Sequence, residues 1–139
     1  MDNATPSPPP SPEPLPTPSP NPGTARTWDM WCHMSALAGL VVPFGNLIAP
    51  LVIWQMKRNE FPSVEEHGKE SLNFQLSVLI YFLGGSALAA IGMIFCIGWI
   101  LVPVLIALHF GALVLAVIAG IKANDGVLYH YPLNLRLIK

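Results

Sequence analysis

The chain has 139 residues, of which 53% are apolar and only 11% charged, where an ordinary soluble domain carries about a quarter. Seven Lys and Arg stand against eight Asp and Glu, so there is no basic excess to neutralise nucleic-acid phosphates, and no nucleic-acid partner is expected. Every one of these charges lies outside two stretches, Met30 to Met56 and Ser71 to Ile121. The second is 51 residues long, which excludes an ordinary soluble fold and makes the lipid bilayer the expected solvent.

Residues 1–27 read as a disordered, proline-rich tail, because alternating Pro with Ser, Thr, Asn and Glu cannot bury an apolar core. The start Met1-Asp2-Asn3 has neither the basic opening nor the apolar run of a secretory signal, so none is expected. Residues 28–139 form the expected helical membrane domain. Trp28, Trp31 and Trp54 bracket the first uncharged stretch and Lys57-Arg58 close it, as interface anchors do. From Trp31 to Trp54 a helix would measure about 34 Å, close to the bilayer core of about 30 Å. Its middle, Val42-Pro43-Phe44-Gly45-Asn46 followed by Pro50, carries kink and turn chemistry. One kinked crossing over 30–56 is the preferred reading, with a re-entrant hairpin as the alternative.

Ser63-Val64-Glu65-Glu66 has the pattern of a capping box and predicts an interfacial amphipathic helix over 63–71, supported by an i,i+4 pair of Glu65 with Lys69. The long run then predicts two spans, 72–94 and 99–121, joined near Gly92 to Trp99. Small residues at helical spacing, Ser77, Gly85, Ala89 and Gly92 on one span and Ala112, Ala116 and Gly120 on the other, would let the backbones approach. Gly126 suits a left-handed helix cap. The expected fold class is therefore an all-α integral membrane protein with about three transmembrane helices, the first kinked or re-entrant, plus the interfacial helix. Three crossings leave Arg26 alone on one face. Lys57, Arg58, Lys69, Lys122, Arg136 and Lys139 share the other, which places the central loop and C-terminus in the cytoplasm of a bacterial inner-membrane protein.

Chemistry-bearing groups are few. Glu65, Glu66 and Glu70 surround Lys69 as a self-paired helix face. His109 is the one histidine deep in a span; it should face the neighbouring helix, hydrogen-bonded to Ser77, Asn46 or Ser86, with proton or ion handling as the sharper reading. His33 beside Cys32 lacks a second Cys/His pair at ligand spacing, so it reads as an interface residue and no metal or cofactor is expected. Cys32 and Cys96 read as free thiols. No phosphate loop, GxSxG elbow or HExxH is present, so the chain is not expected to be an enzyme.

Trp28 with His33, Ile48-Ala49-Pro50-Leu51-Val52-Ile53-Trp54, the block from Glu65 to Gln75, and Lys122-Ala123-Asn124-Asp125-Gly126 with Tyr131-Pro132-Leu133 together resemble a family. It is that of small bacterial Tic-translocon-like membrane proteins of unknown function, remotely similar to the chloroplast import-channel component. The resemblance spans Trp28 to Lys139 and implies importance for Asn73, Phe74, Lys122, Asn124, Tyr131 and Pro132. With His33, Pro50, Trp54, Lys69 and His109 these are the candidate residues. The expected role is non-enzymatic, in the structure or assembly of a membrane protein complex, through other membrane proteins or self-association. The alternative is a subunit of an oligomeric pore or transporter.

Overall fold

A computed structural model describes residues 21–139; most of the expected tail, residues 1–20, lies outside them. Four α-helices follow in order: α1 Pro22–Met34, α2 Gly45–Lys57, α3 Pro62–Met93 and α4 Gly98–Asn124, with a 3₁₀ segment, Ser35–Leu40, continuing α1. Among the described residues there is no strand. The helical domain begins earlier than expected, at Pro22 rather than residue 28. The Asn21 side chain accepts a hydrogen bond from the Gly23 amide at 2.9 Å, and Pro22 occupies the first helical turn, where its missing donor costs nothing.

The single kinked crossing over 30–56 is replaced by a hairpin. α1 tightens into the 3₁₀ segment, turns at Val41 to Phe44 and returns as α2, with Phe44 in the left-handed region at φ 60°. Two glycines make the return possible: a Cβ on Gly45 would stand 2.6 Å from the Ala38 carbonyl oxygen, and one on Gly39 2.8 Å from Asn46 Cβ. The ends of the stretch meet again, the Lys57 ammonium lying 4.7 Å from the centre of the Trp28 ring. Pro50 sits fully buried inside α2, where it removes the helical donor to the Asn46 carbonyl without ending the helix.

Two helices, α3 and α4, are long and apolar enough to cross a membrane. At 32 and 27 residues they measure about 48 and 40 Å, and their apolar stretches are mostly unburied: Phe82, Leu83, Leu88, Ile91, Trp99, Ile100 and Phe110 are all exposed. Apolar surface of that extent needs lipid, and this is a membrane protein. The turn between them falls at residues 94–97, inside the expected window. Gly98 opens α4 against α3 so closely that a Cβ would stand 2.3 Å from the Ala89 carbonyl oxygen. Ala112, Ala116 and Gly120 are buried as expected, Gly120 facing Met34 of α1.

The separate interfacial helix over 63–71 does not form. Those residues are the first turns of α3, with Val64, His67, Gly68, Glu70 and Ser71 buried. The capping box is also absent, because Phe61 is the cap, Pro62 leads the helix, and the Ser63 hydroxyl donates to Asp29 Oδ1 at 2.9 Å instead. What buries this stretch is the hairpin on one side and residues 127–139 on the other, which run back over α3 as an irregular strap. Gly126 (φ 81°) caps α4, with the Val127 amide bonded to the Lys122 carbonyl at 2.9 Å. Arg26 packs directly on that cap. The hairpin therefore brings Arg26 to the same end as Lys57, Arg58, Lys69 and Lys122; its tip reaches Val78, Leu79 and Phe82, partway along α3, and the far end carries the apolar turn at residues 94–97.

Candidate functional site

At the charged end, α1, α3 and the strap enclose a line of buried polar side chains. His33 Nδ1 lies 2.9 Å from the Tyr131 hydroxyl and His33 Nε2 lies 3.1 Å from His67 Nδ1. His67 Nε2 is 4.0 Å from Asp29 Oδ2. With neutral rings one direction fits both bonds: Tyr131 donates to His33 and His33 donates to His67, which leaves the His67 Nε2–H facing the Asp29 carboxyl group at 4.0 Å, too far for a direct hydrogen bond. Burial holds both rings neutral, lowering His33 to about 3 and His67 to about 4. It also raises Asp29, against the Ser63 hydrogen bond, and raises Tyr131. Cys32, fully buried beside this line, is pushed up to about 12 by the same desolvation.

The strap is held by α3 side chains one after another. Glu70 Oε1 accepts from the Tyr131 amide at 2.9 Å, and Phe74 stacks on the Tyr131 ring at 3.9 Å between centroids, 8° from parallel. The Asn73 amide reads the Ile138 backbone twice, donating to its carbonyl at 2.8 Å and accepting from its N–H at 2.6 Å. The Ser77 hydroxyl accepts from the Leu135 amide at 2.9 Å. Helical spacing makes this possible, since positions 70, 73, 74 and 77 share one face of α3. A strap with so few internal bonds depends on them.

The candidate residues divide accordingly. His33, Asn73, Phe74 and Tyr131 meet in this assembly. Trp54 and Lys69 flank it through one acceptor: Glu65 takes a hydrogen bond from Trp54 Nε1 at 2.6 Å and pairs with Lys69 at 2.7 Å, and both hold its carboxyl below the usual range. The i,i+4 pair is thus as expected, but it leans on an indole, and Gly68 lets that indole lie flat on α3. Lys122 and Asn124 are exposed in the last turn of α4, and Pro132 is exposed on the strap. His109 stands apart at mid-helix. It is exposed rather than turned into the helix interface, and no hydrogen bond joins it to Ser77, Asn46 or Ser86 among the described residues. Ser77 is occupied by the strap and Asn46 by Gln75.

Asp29, His67, Glu70 and Ser77 belong to the site; from the sequence, Asp29 and His67 carry no role of their own, Glu70 reads as part of a self-paired helix face, and Ser77 as a packing residue or a partner of His109. A signal existed in spacing: Asp29 with His33 at i,i+4, and His67, Glu70 and Phe74 at i,i+3,i+7. Among the described residues, no group of three or more His, Cys, Asp or Glu side chains is placed to hold a metal ion. The His33, His67 and Tyr131 side chains are buried and joined by hydrogen bonds, and the chemistry of the assembly is that of a buried polar lock.

A model of the MamF/MmsF family, the magnetosome magnetite crystal formation protein family, matches residues 24–138. The chain belongs to that family. The match runs from the first turn of α1 to Ile138, the last strap residue that α3 holds, so it covers the hairpin, both long helices and the strap. It replaces the Tic-translocon-like resemblance. The blocks that carried that resemblance are accounted for by packing here: Gly68 under Trp54, Asn73 on the strap, Gly126 as a helix cap. No curated protein and no solved structure matches the chain.

Proposed function

We propose that the protein is a non-enzymatic component of the membrane in which magnetite crystals form, acting in the structure or assembly of a membrane protein complex there. The family match across the whole folded part carries this reading. The distribution of charge supports an indirect action on the crystal. All seven Lys and Arg lie on segments at the charged end, which by the bias of basic residues belongs in the cytoplasm of a bacterial inner membrane or a membrane derived from it. The opposite end of the two long helices offers Ile94 to Trp99, and the hairpin tip, Val41 to Phe44, lies partway along them; neither segment has a carboxylate to bind a mineral surface. A route to crystal size or number then runs through neighbouring membrane proteins or further copies of the chain, by way of the exposed faces of α3 and α4.

A pore through one copy is disfavoured, because beyond His109 the exposed faces of the apolar stretches of α3 and α4 present mainly aliphatic and aromatic side chains. The test is deletion of the gene in a magnetite-forming host, with crystal dimensions and counts read by electron microscopy and the composition of the detergent-solubilised membrane complex read alongside. Altered crystals together with loss of complex members are expected. Crystals and complexes indistinguishable from wild type would overturn the proposal.

A further inference from the structure

Halfway along α4, away from the buried lock, the tip of the hairpin leans against α3 and α4 over a small cavity of about 60 Å³. Gly39 and Asn46 wall it from the hairpin, Gln75 from α3, and His109 and Ala112 from α4. Asn46 Nδ2 donates to Gln75 Oε1 at 3.1 Å. That bond leaves half of each amide over: the Gln75 amino group and the Asn46 carbonyl oxygen have no partner among the described residues. Gln75 is only 4% exposed and lines the cavity, so the cavity is the space its free donor has within reach. That donor calls for an acceptor, and His109, which has no hydrogen bond among the described residues, stands at the rim where a wider apolar groove begins.

We propose that this cavity is a water-binding site inside the membrane-embedded part, in which about two to four water molecules bridge Gln75 and Asn46 to His109 and pin the hairpin tip against the two long helices. The lining selects the ligand class. No charged residue lines the cavity, so nothing there would compensate the dehydration of a metal ion. An acyl chain would leave both amides unpaired. Water supplies the acceptor that Gln75 Nε2 needs and the donors that Asn46 Oδ1 and one ring nitrogen of His109 need, and the volume suits it. It also accounts for the position of His109, whose ring can face the lipid border with one edge while the other is solvated from within. Gly39, where a Cβ would collide with Asn46, then serves to keep Asn46 close enough to share the cluster.

The proposal is tested on the full chain in lipid nanodiscs by NMR, with ¹⁵N-labelled Asn, Gln and His. Wild-type protein should show through-space magnetisation transfer from water to the Gln75 and Asn46 side-chain amides and to the His109 ring. In the double variant Asn46→Leu, Gln75→Leu, which replaces the polar walls by methyl groups, transfer to His109 should weaken by about ten-fold or more, while exposed His130 keeps its signal. Absence of water transfer in the wild type, its replacement by transfer from lipid methylenes, or full retention at His109 in the double variant would each overturn the proposal. The wild-type measurement decides even if the double variant does not fold.

Discussion

Replacing Tyr131 by Phe removes one atom from the buried lock and leaves its packing in place. The ring is 5% exposed and lies parallel on Phe74 at 3.9 Å, and a Phe ring fills the same slot. What disappears is the bond to His33 Nδ1, on a side chain with no exposed surface. An orphaned buried acceptor costs about 1–3 kcal/mol. Tyr131→Leu removes the stack as well, worth about 0.5–1.5 kcal/mol beyond its area. The expected order of stability is therefore wild type, then Phe, then Leu, with the Leu step adding the lost area to the lost stack. Denaturant unfolding in mild detergent, followed by tryptophan fluorescence, measures both steps. A double cycle with His33→Leu isolates the shared bond, because the Phe substitution should cost little once His33 is gone. If Tyr131→Phe lies within about 0.5 kcal/mol of wild type, the hydroxyl is not holding His33 and the proposed direction of the chain of bonds fails.

Acid should weaken the same region. Both histidines are held neutral in the fold, His33 at about 3 and His67 at about 4, against 6.5 when unfolded. The unfolded chain therefore binds protons that the fold refuses, and stability is full above pH 6.5 and falls as pH drops from there towards 4. The slope is about 1.4 kcal/mol per pH unit for each ring; the raised Asp29 acts in the opposite sense at the acid end. Unfolding midpoints measured from pH 7.5 to 4.5 check this, and a flat profile would show that the rings are solvated. The cysteines report the hairpin: Cys96 is exposed at the apolar turn and Cys32 is buried at the charged end. A membrane-impermeant thiol reagent added outside spheroplasts should label Cys96 alone, and Cys32 should stay protected after lysis until the protein is unfolded. Labelling of Cys32 from outside would restore the single crossing.

The two long helices were legible because their signal is summed over many residues. An uncharged run too long for one span and too short for three, with Gly92 and Gly98 near its middle, has few ways to fold in lipid. The hairpin was legible only as an alternative. Pro43, Gly45 and Pro50 suit a kinked crossing or a return equally, and Trp31 and Lys57 anchor an interface in either case. What decides is the close approach of Gly39 to Asn46 at the turn together with the contact of Lys57 with Trp28, residues 29 positions apart, and no local pattern encodes the second. The interfacial helix failed for a related reason. Glu70 and Asn73 look like part of a solvated face until the strap arrives and buries them, and the strap, residues 127–139, has no helical periodicity to announce it.

The lock was hidden by a habit of reading polar residues near a membrane as exposed. His67, Glu70 and Asn73 sit at the edge of the uncharged run, where water is available, so each has an ordinary explanation taken alone. Their burial follows from the hairpin. Once the chain returns to the charged end as α2 rather than crossing, Asp29 and His33 on α1 lie at the same end as the first turns of α3, and those turns are the surface within reach. Two histidines and two carboxyl groups then enter one interior, and the cost of burying them is met by bonding them to one another and to the strap. The same fold-back that leaves the far end without charge thus creates the buried polar interior at the near end. A mutation that straightened the hairpin would undo both, by carrying Asp29 and His33 away from His67 and stranding Tyr131 on a strap with one wall missing.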